Sequence, residues 1–459
     1  MRTRFDWSFD RLIAALVLLT ILLAAGLSPM HTDSWWQLRS GQDMWQMRGV
    51  IFTDIHSHTA HGAFWPNHEW LAELVYYVMW RMGGLPLVTL FSAFLITGGW
   101  ALSWRLAQGP VRVRCLWIAL SLVSSASWWQ PRPHAFSLLF IPATVTLVAT
   151  RRLWYLPLIF LVWANVHGGV LLGFVLLGAG FGAELLLDRR AWRTPLLVVI
   201  ACVVATTATP MGLAYWLEIP RSLARIRLYP FDEWQRPTLT LHLLPFWTLA
   251  VLFCYGLVST WRARRRLTSG EAVVCACALV LLPLSVMAIR NVGPFLMLAA
   301  PALTVLLPLR RQPASAAHTR PLVNAGIAVI ATIAVAIALA WAYAKPIPGL
   351  RWEPIPAGAL RALPQCPGHL FNLYDQGGYL LWFAPGREVF LDGRQDPYPS
   401  ALILEQIRMQ NEGLDFHDVF SRYDIRCAYL PSHSPTVAQL TAAGWATLYR
   451  DEGWVVLRN

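Results

Sequence analysis

Long apolar runs alternate with short polar connections from residue 11 almost to Tyr343, and beyond Lys345 that pattern stops. The runs are roughly 17 to 25 residues long, the length a helix needs to cross a bilayer, and they predict a polytopic membrane protein rather than one with a single anchor. Spans are expected at residues 12–27, 85–104, 113–129, 135–149, 153–165, 170–187, 195–209, 244–258, 272–289, 295–309 and 322–343, which makes about eleven crossings. The first run starts basic and ends on small residues, as a signal peptide does, but it leads directly into membrane-dependent sequence and is read as an uncleaved span. The fold class is therefore mainly α: a transmembrane domain over 1–345 and a small α/β domain over 346–459.

Two stretches depart from the span pattern. Residues 28–84 form the loop between the first two spans and open with HTDSWWQLRSGQDMWQMR, residues 31–48. That stretch is predicted helical from Ser34, with Trp35, Leu38 and Trp45 on one face, an interfacial helix anchored by tryptophan. A polar and aromatic segment, 49–67, follows, and then a short apolar helix over 68–82 ended by Gly83-Gly84. The tail reads as apolar runs at 369–374, 388–391, 425–430, 447–449 and 454–457, helices at 400–411 and 436–443, and a turn at Gly377-Gly378. Its Leu391-Asp392-Gly393-Arg394-Gln395-Asp396-Pro397-Tyr398 motif is read as a turn, although acids and arginine at a strand end also suit a substrate-facing edge.

With 56% hydrophobic and 14% charged residues and a mean hydropathy of +0.47, the chain is not an ordinary soluble protein. The net charge of +12 does not point to nucleic acid, because the arginines are not gathered on one soluble face. Arg105, Arg112 and Arg114, then Arg151 and Arg152, then Arg189, Arg190 and Arg193, then Arg262 and Arg264 to Arg266, then Arg310 and Arg311 fall in alternate connections. This positive-inside pattern places the N-terminus in the cytoplasm and, with an odd number of spans, the tail outside a cytoplasmic membrane. Cys115, Cys202, Cys254, Cys275 and Cys277 lie in spans and read as small apolar fillers. Cys366 and Cys427 lie in the external tail, where a disulfide is permitted but not dictated by sequence.

Asp33 stands where the first span ends, at the water–lipid boundary. It reads either as the cap of the helix that begins at Ser34 or as a general base, and one carboxylate can serve as both. The other connections on the same expected face carry Arg132 and His134, Asn165 and His167, Asp232, Glu233 and Arg236, and Arg290. Ionisable groups at span ends snorkel to the interface or line a cavity, and their gathering on one side points to a site. His56, His58, His61 and His68 with Asp54 match no closed zinc spacing, so no cofactor is expected, with a divalent metal on Asp33 and Glu69 left open as the minor alternative.

An acid just outside the first span, a helix, a polar loop, a second short helix and then the second span is an arrangement that resembles the GT-C glycosyltransferases, with a first loop like those of protein O-mannosyltransferases, aminoarabinose transferases and oligosaccharyltransferase catalytic subunits. Asp33-Ser34-Trp35-Trp36 is similar to the Asp-x-aromatic motif of the last of these. The wider order, with Asn67-His68-Glu69-Trp70-Leu71, Arg132-Pro133-His134, Gly377-Gly378-Tyr379 and Asp392-Gly393-Arg394, resembles bacterial members of the group over nearly the full length. The resemblance implies transfer of a sugar, with inversion, from a polyprenyl-phosphate carrier to a lipid, glycan or protein acceptor at the outer face of the membrane. Asp33 is then the base, assisted by Glu69 and His68, and Arg132, His134, His167 and Arg290 are the groups for the donor phosphate. Asp232, Glu233, Arg236, Asp392 and Arg394 are left for the acceptor or the cavity wall. The first loop lacks a clear second acidic motif of the oligosaccharyltransferase type. A transporter or flippase is the main alternative, against which stand the lack of an internal repeat and of any charge centred in a span except Glu184 near one helix end. A non-catalytic envelope-assembly scaffold is a further one, and it would tolerate loss of Asp33.

Overall fold

The computed structural model describes residues 7–190, 192–308, 320–345 and 347–459. Arg310, Arg311 and the end of the expected span at 309 lie outside the described residues. The chain divides into two compact units: Met1–Ser28, Pro86–Thr209 and Pro230–Leu350 form the first, and Pro29–Leu85, Pro210–Tyr229 and Arg351–Asn459 form the second.

Among the described residues each stretch expected as a span holds a helix, although Val111–Ser125, Arg193–Thr206 and Val292–Leu306 stop short of the ends expected at 129, 209 and 309. Among the described residues, seven helices are long and apolar enough to cross a membrane, including Phe9–Gly26, Val170–Leu187 and Pro321–Ala344. Val111–Ser125, His134–Ala149, Leu156–Val166 and Arg193–Thr206 are shorter. Val292–Leu306 is buried at every residue, among Val111–Ser125, Leu244–Arg262 and Ser269–Met287. Its glycine, alanines and prolines explain why it is the one at the centre, since small side chains let neighbouring backbones approach where no hydrophobic effect drives helices together. Pro321–Ala344 is peripheral and packs on Phe9–Gly26, where the Tyr343 hydroxyl donates to the Gly26 carbonyl at 2.8 Å. Glu184, the acid inside a span, pairs with Arg151 at 2.7 Å and accepts from Ser269 at 3.3 Å. Of the five span cysteines, Cys202, Cys275 and Cys277 are buried fillers as expected, whereas Cys254 is exposed on its helix.

In the second unit, a four-stranded sheet takes the order β1 (His369–Asn372), β2 (Ile425–Pro431), β4 (Trp454–Arg458), β3 (Ala446–Arg450), with β1 and β2 parallel and the other pairs antiparallel. Cys366 and Cys427 are joined in a disulfide with their Cα atoms 5.6 Å apart. Two expectations for the tail are corrected. The run at 388–391 is no strand: only Val389 bridges, and its partner is Ser57 of the first loop. Backbone bonds from Val389 N to His56 O at 3.0 Å and from His58 N to Val389 O at 3.1 Å take up the hydrogen-bonding capacity that a strand would have used. Gly377-Gly378 is not a turn but the middle of the helix Tyr374–Phe383. A Cβ at Gly377 would lie 2.1 Å from the Leu391 carbonyl oxygen, and one at Gly378 2.4 Å from that of Thr32. The pair is there so that backbones can touch on both sides, which local turn propensity does not register.

The same rule shapes the first loop. Its helix, Thr32–Met47, buries Trp35 against Phe383, ring centroids 4.7 Å apart, and brings Gly41 so near that a Cβ there would lie 2.2 Å from the Glu73 carbonyl oxygen. This helix is therefore packed on most of its circumference rather than laid in an interface on one face. Trp36 is buried and Trp45, expected with Trp35 on the anchoring face, is half exposed under Arg81. The helix Trp70–Leu106 breaks at Gly83 and Gly84 as the sequence predicts; Gly84, at φ 64 and ψ −159, adopts a conformation that a side chain would oppose.

Candidate functional site

In the second unit Asp33 lies in the first turn of Thr32–Met47, and the cap is His31 rather than Asp33 itself. The His31 Nδ1 accepts the Asp33 N–H at 3.2 Å, and Ser34 Oγ accepts the His31 N–H at 3.2 Å. Asp33 Oδ1 accepts from the Trp36 Nε1–H at 3.2 Å, and Oδ2 lies 3.2 Å from the His31 Nδ1. Gly393 faces the carboxyl group so closely that a Cβ there would stand 2.2 Å from Oδ1. The side chain remains 20% exposed, which leaves the carboxyl group reachable.

One helical turn beyond Asp33, Gln37 donates to Glu69 Oε2 at 3.1 Å, so both acids address one stripe of this helix. His68 turns its Nδ1–H to the Pro66 carbonyl at 3.2 Å, leaving Nε2 3.8 Å from Glu69 Oε1. Burial lowers the His68 pKa, against the attraction of Asp396 and the Pro66 bond. Asp396, part of the motif expected to be a turn, accepts from Ser222 Oγ at 3.1 Å, and its backbone carbonyl accepts from Arg225 at 3.1 Å. Burial raises its carboxyl pKa, as does nearby Glu69, while His68, Ser222 and Arg225 pull the other way.

Asp392 and Arg394 lie inside the unit, not at an edge. Arg394 Nη2 donates to Asp54 Oδ1 and to Asp392 Oδ2 at 2.6 Å each, and all three side chains are fully buried. Tyr398 donates to Asp392 at 2.7 Å, and the guanidinium stacks 4.9 Å above Trp65. Asp54 also accepts the His56 and Ser57 N–H groups at 3.1 and 3.2 Å. Burial opposes the charge on Asp392, but Arg394 and Tyr398 hold its carboxyl below the usual range. This network clamps the 49–67 loop to the 391–398 turn.

The four loop histidines diverge. His56 faces Asp43 at 3.2 Å, His58 stacks on His369 at 4.3 Å, His61 faces Glu388 at 3.1 Å, and His68 belongs with Glu69. Among the described residues no three His, Cys, Asp or Glu side chains are grouped to hold a metal ion. Burial, with Arg394 nearby, lowers the His56 pKa to about 3, and burial lowers that of His58 to about 4. An unfolded chain takes up both protons below about pH 6.5 and the folded unit does not, so the second unit loses stability as pH falls from about 6.5 toward 4. His68, lowered from 6.5, acts in the same direction, Asp43 and Asp396, raised from 3.8 by burial, act in the opposite one, and Asp392, held below 3.8, adds to the loss only under that pH. We expect thermal melting midpoints of the purified protein to fall over that range, and His56→Asn to flatten the fall by up to about 1.4 kcal/mol per pH unit. A pH-independent midpoint would contradict the assignment.

In the first unit, Glu233 joins two of the expected phosphate ligands: Arg132 reaches its Oε2 at 3.1 Å and Arg290 its Oε1 at 3.2 Å. Trp234 stacks under Arg290 at 4.5 Å. His134 is turned to the Trp128 carbonyl at 2.6 Å. The His167 Nδ1 accepts from Gly169 N–H at 3.1 Å and meets Ser137 Oγ at 2.6 Å, which itself accepts from Trp163. Asp232 and Arg236, expected beside them, are exposed. The structure thus brings Arg132, Arg290 and Glu233 together in one unit, and Asp33, Glu69 and His68 in the other. Gln37, Asp396 and Ser222 were missed, because a neutral amide and residues 174 positions apart carry no local signal.

No protein-family model matches the chain, and no curated protein sequence does. Solved structures match over almost all of it. ArnT from Cupriavidus metallidurans, in crystals bound to undecaprenyl phosphate, is 14% identical with a TM-score of 0.54, and 96% of each chain is covered. The archaeal oligosaccharyltransferase AglB from Archaeoglobus fulgidus, in complex with an inhibitory peptide and a dolichol-phosphate, is 12% identical with a TM-score of 0.56, over 92% of this chain and 69% of that one. The chain therefore shares the fold of these two structures, as its sequence resemblance leads one to expect.

Proposed function

We propose that the protein is an inverting glycosyltransferase that moves a sugar from a polyprenyl-phosphate donor to an envelope acceptor at the outer face of the cytoplasmic membrane. The observation that carries this reading is Asp33: a reachable carboxylate, oriented by Trp36 and His31, in the first loop of a GT-C fold. The acceptor's oxygen or nitrogen attacks the anomeric carbon, Asp33 takes its proton, and the C–O bond to phosphate breaks with the electron pair leaving on phosphate. Arg132 and Arg290 hold the charge of the departing phosphate, since guanidinium binds its oxygens in a fork and stays protonated. Glu233, which bridges them, leaves the trio with a net positive charge and fixes the two side chains before donor arrives. Lipid phosphates in the ArnT and AglB structures support a carrier of this class.

The test is a comparison of lipid-linked sugars and envelope glycans in cells with and without the protein. Accumulation of one polyprenyl-phosphate sugar, with loss of that sugar from a glycan, names the donor; unchanged pools contradict the reading. For the phosphate ligands, Arg132→Ala/Arg290→Ala abolishes transfer and lysine at either position restores only part of it, because the charge returns without the fork. Full activity in the double alanine variant would remove both residues from the mechanism.

A further inference from the structure

The contact between His31 and Asp33 changes character with protonation. His31 Nδ1 accepts the Asp33 N–H at 3.2 Å, so in the resting helix that nitrogen is bare and the ring proton is on Nε2. The same Nδ1 lies 3.2 Å from Asp33 Oδ2, with Thr32 Oγ1 at 3.4 Å. A bare imidazole nitrogen and an ionised carboxylate are both acceptors, and nothing attracts one to the other. Once the carboxyl group carries a proton, Oδ2–H donates to Nδ1 and the contact becomes a hydrogen bond.

We propose that His31 is the proton relay for Asp33, an inference that rests on the reading of Asp33 as the general base. The acceptor proton moves to Asp33 Oδ2 as the glycosidic bond forms and the bond from anomeric carbon to phosphate oxygen breaks. Oδ2 then passes it to His31 Nδ1, the imidazolium loses its Nε2 proton to water, and exchange of the remaining proton from Nδ1 to Nε2 through solvent restores the resting tautomer. Asp33 is thereby returned ionised for the next acceptor, and no other reagent is consumed. The His31 side chain is 34% exposed, which gives the ring a path to solvent. Capping alone needs only an acceptor for the Asp33 N–H, a task that asparagine performs well and for which an imidazole is not required. His31 is thus a positioning and relay residue that acts through Asp33.

The test uses membranes carrying the full chain, a panel of undecaprenyl-phosphate-linked pentoses and hexoses, and release of undecaprenyl phosphate as readout. His31→Asn preserves the cap; it should lower turnover at saturating donor by about 10- to 100-fold with KM for the donor unchanged, as expected when a proton-transfer partner is lost. His31→Gly should be slowed similarly and recover in part with millimolar imidazole. Wild-type turnover in His31→Asn, with Asp33→Asn inactive, would overturn the relay and leave the base in place. Wild-type turnover in Asp33→Asn would overturn both.

Discussion

Asp33→Asn is expected to lower the rate of sugar transfer by about 100- to 10,000-fold, equivalent to about 3 to 5 kcal/mol of barrier, while the protein still inserts in the membrane and binds donor. The structure sharpens this experiment, because Asp33 is not the helix cap. The cap is His31, so the substitution removes the proton acceptor and leaves the helix start in place. Asparagine keeps an oxygen for the Trp36 Nε1–H and, at similar size, disturbs the Gly393 contact little. Turnover is read as carrier phosphate released. Near wild-type transfer by Asp33→Asn would remove the central claim, and a transporter or scaffold would then account better for the chain.

The second large effect is on folding. Arg394→Met leaves Asp54 and Asp392 buried with no cation between them, and removing one partner of a buried ion pair costs about 3 to 5 kcal/mol. The expected result is a lowered melting midpoint and early proteolytic cleavage in the 49–67 loop, which the network holds to the 391–398 turn. Lysine at 394 should not restore stability, since one ammonium cannot reproduce the guanidinium's contacts with both acids and its stacking on Trp65. Adding Asp54→Asn and Asp392→Asn to Arg394→Met should recover part of the loss, because the uncompensated charges go with them. An Arg394→Met protein that melts like wild type would show that packing alone holds the loop.

The helices and most of the tail's strands were legible because each is set by a local period or an apolar length. Ser400–Asn411 and Val170–Leu187 fall on the residues expected. What was not legible depends on contacts between distant residues. Gly377-Gly378 has the local character of a turn and is helical only because Leu391 and Thr32 press on it. Asp392-Gly393 was read as a turn and is one, but the burial of its acid depends on Arg394 and Asp54, 340 residues apart. At the site, Asp33 stood out by position, whereas His31 was passed over because a histidine cap has no strong sequence signature. Arg132, Arg290 and Glu233 were each named singly, and no spacing disclosed that one carboxylate would hold both guanidinium groups.

That 340-residue separation between Asp54 and Arg394 has a consequence for how the protein is made. At about 5 to 20 residues per second, a ribosome needs roughly 20 to 70 s to travel from one to the other. During that interval the 49–67 loop has left the ribosome with its acid unpaired and with no Val389 to bridge, so the second unit cannot close. Every helix of the first unit has been synthesised before it does. The second unit therefore closes only after the 391–398 turn has been made, and a chain interrupted before that turn carries Asp33 on an unfinished scaffold. Such a fragment lacks both Arg394 and Val389, the partners of the 49–67 loop, and that loop is expected to be cleaved in it more readily than in the full chain.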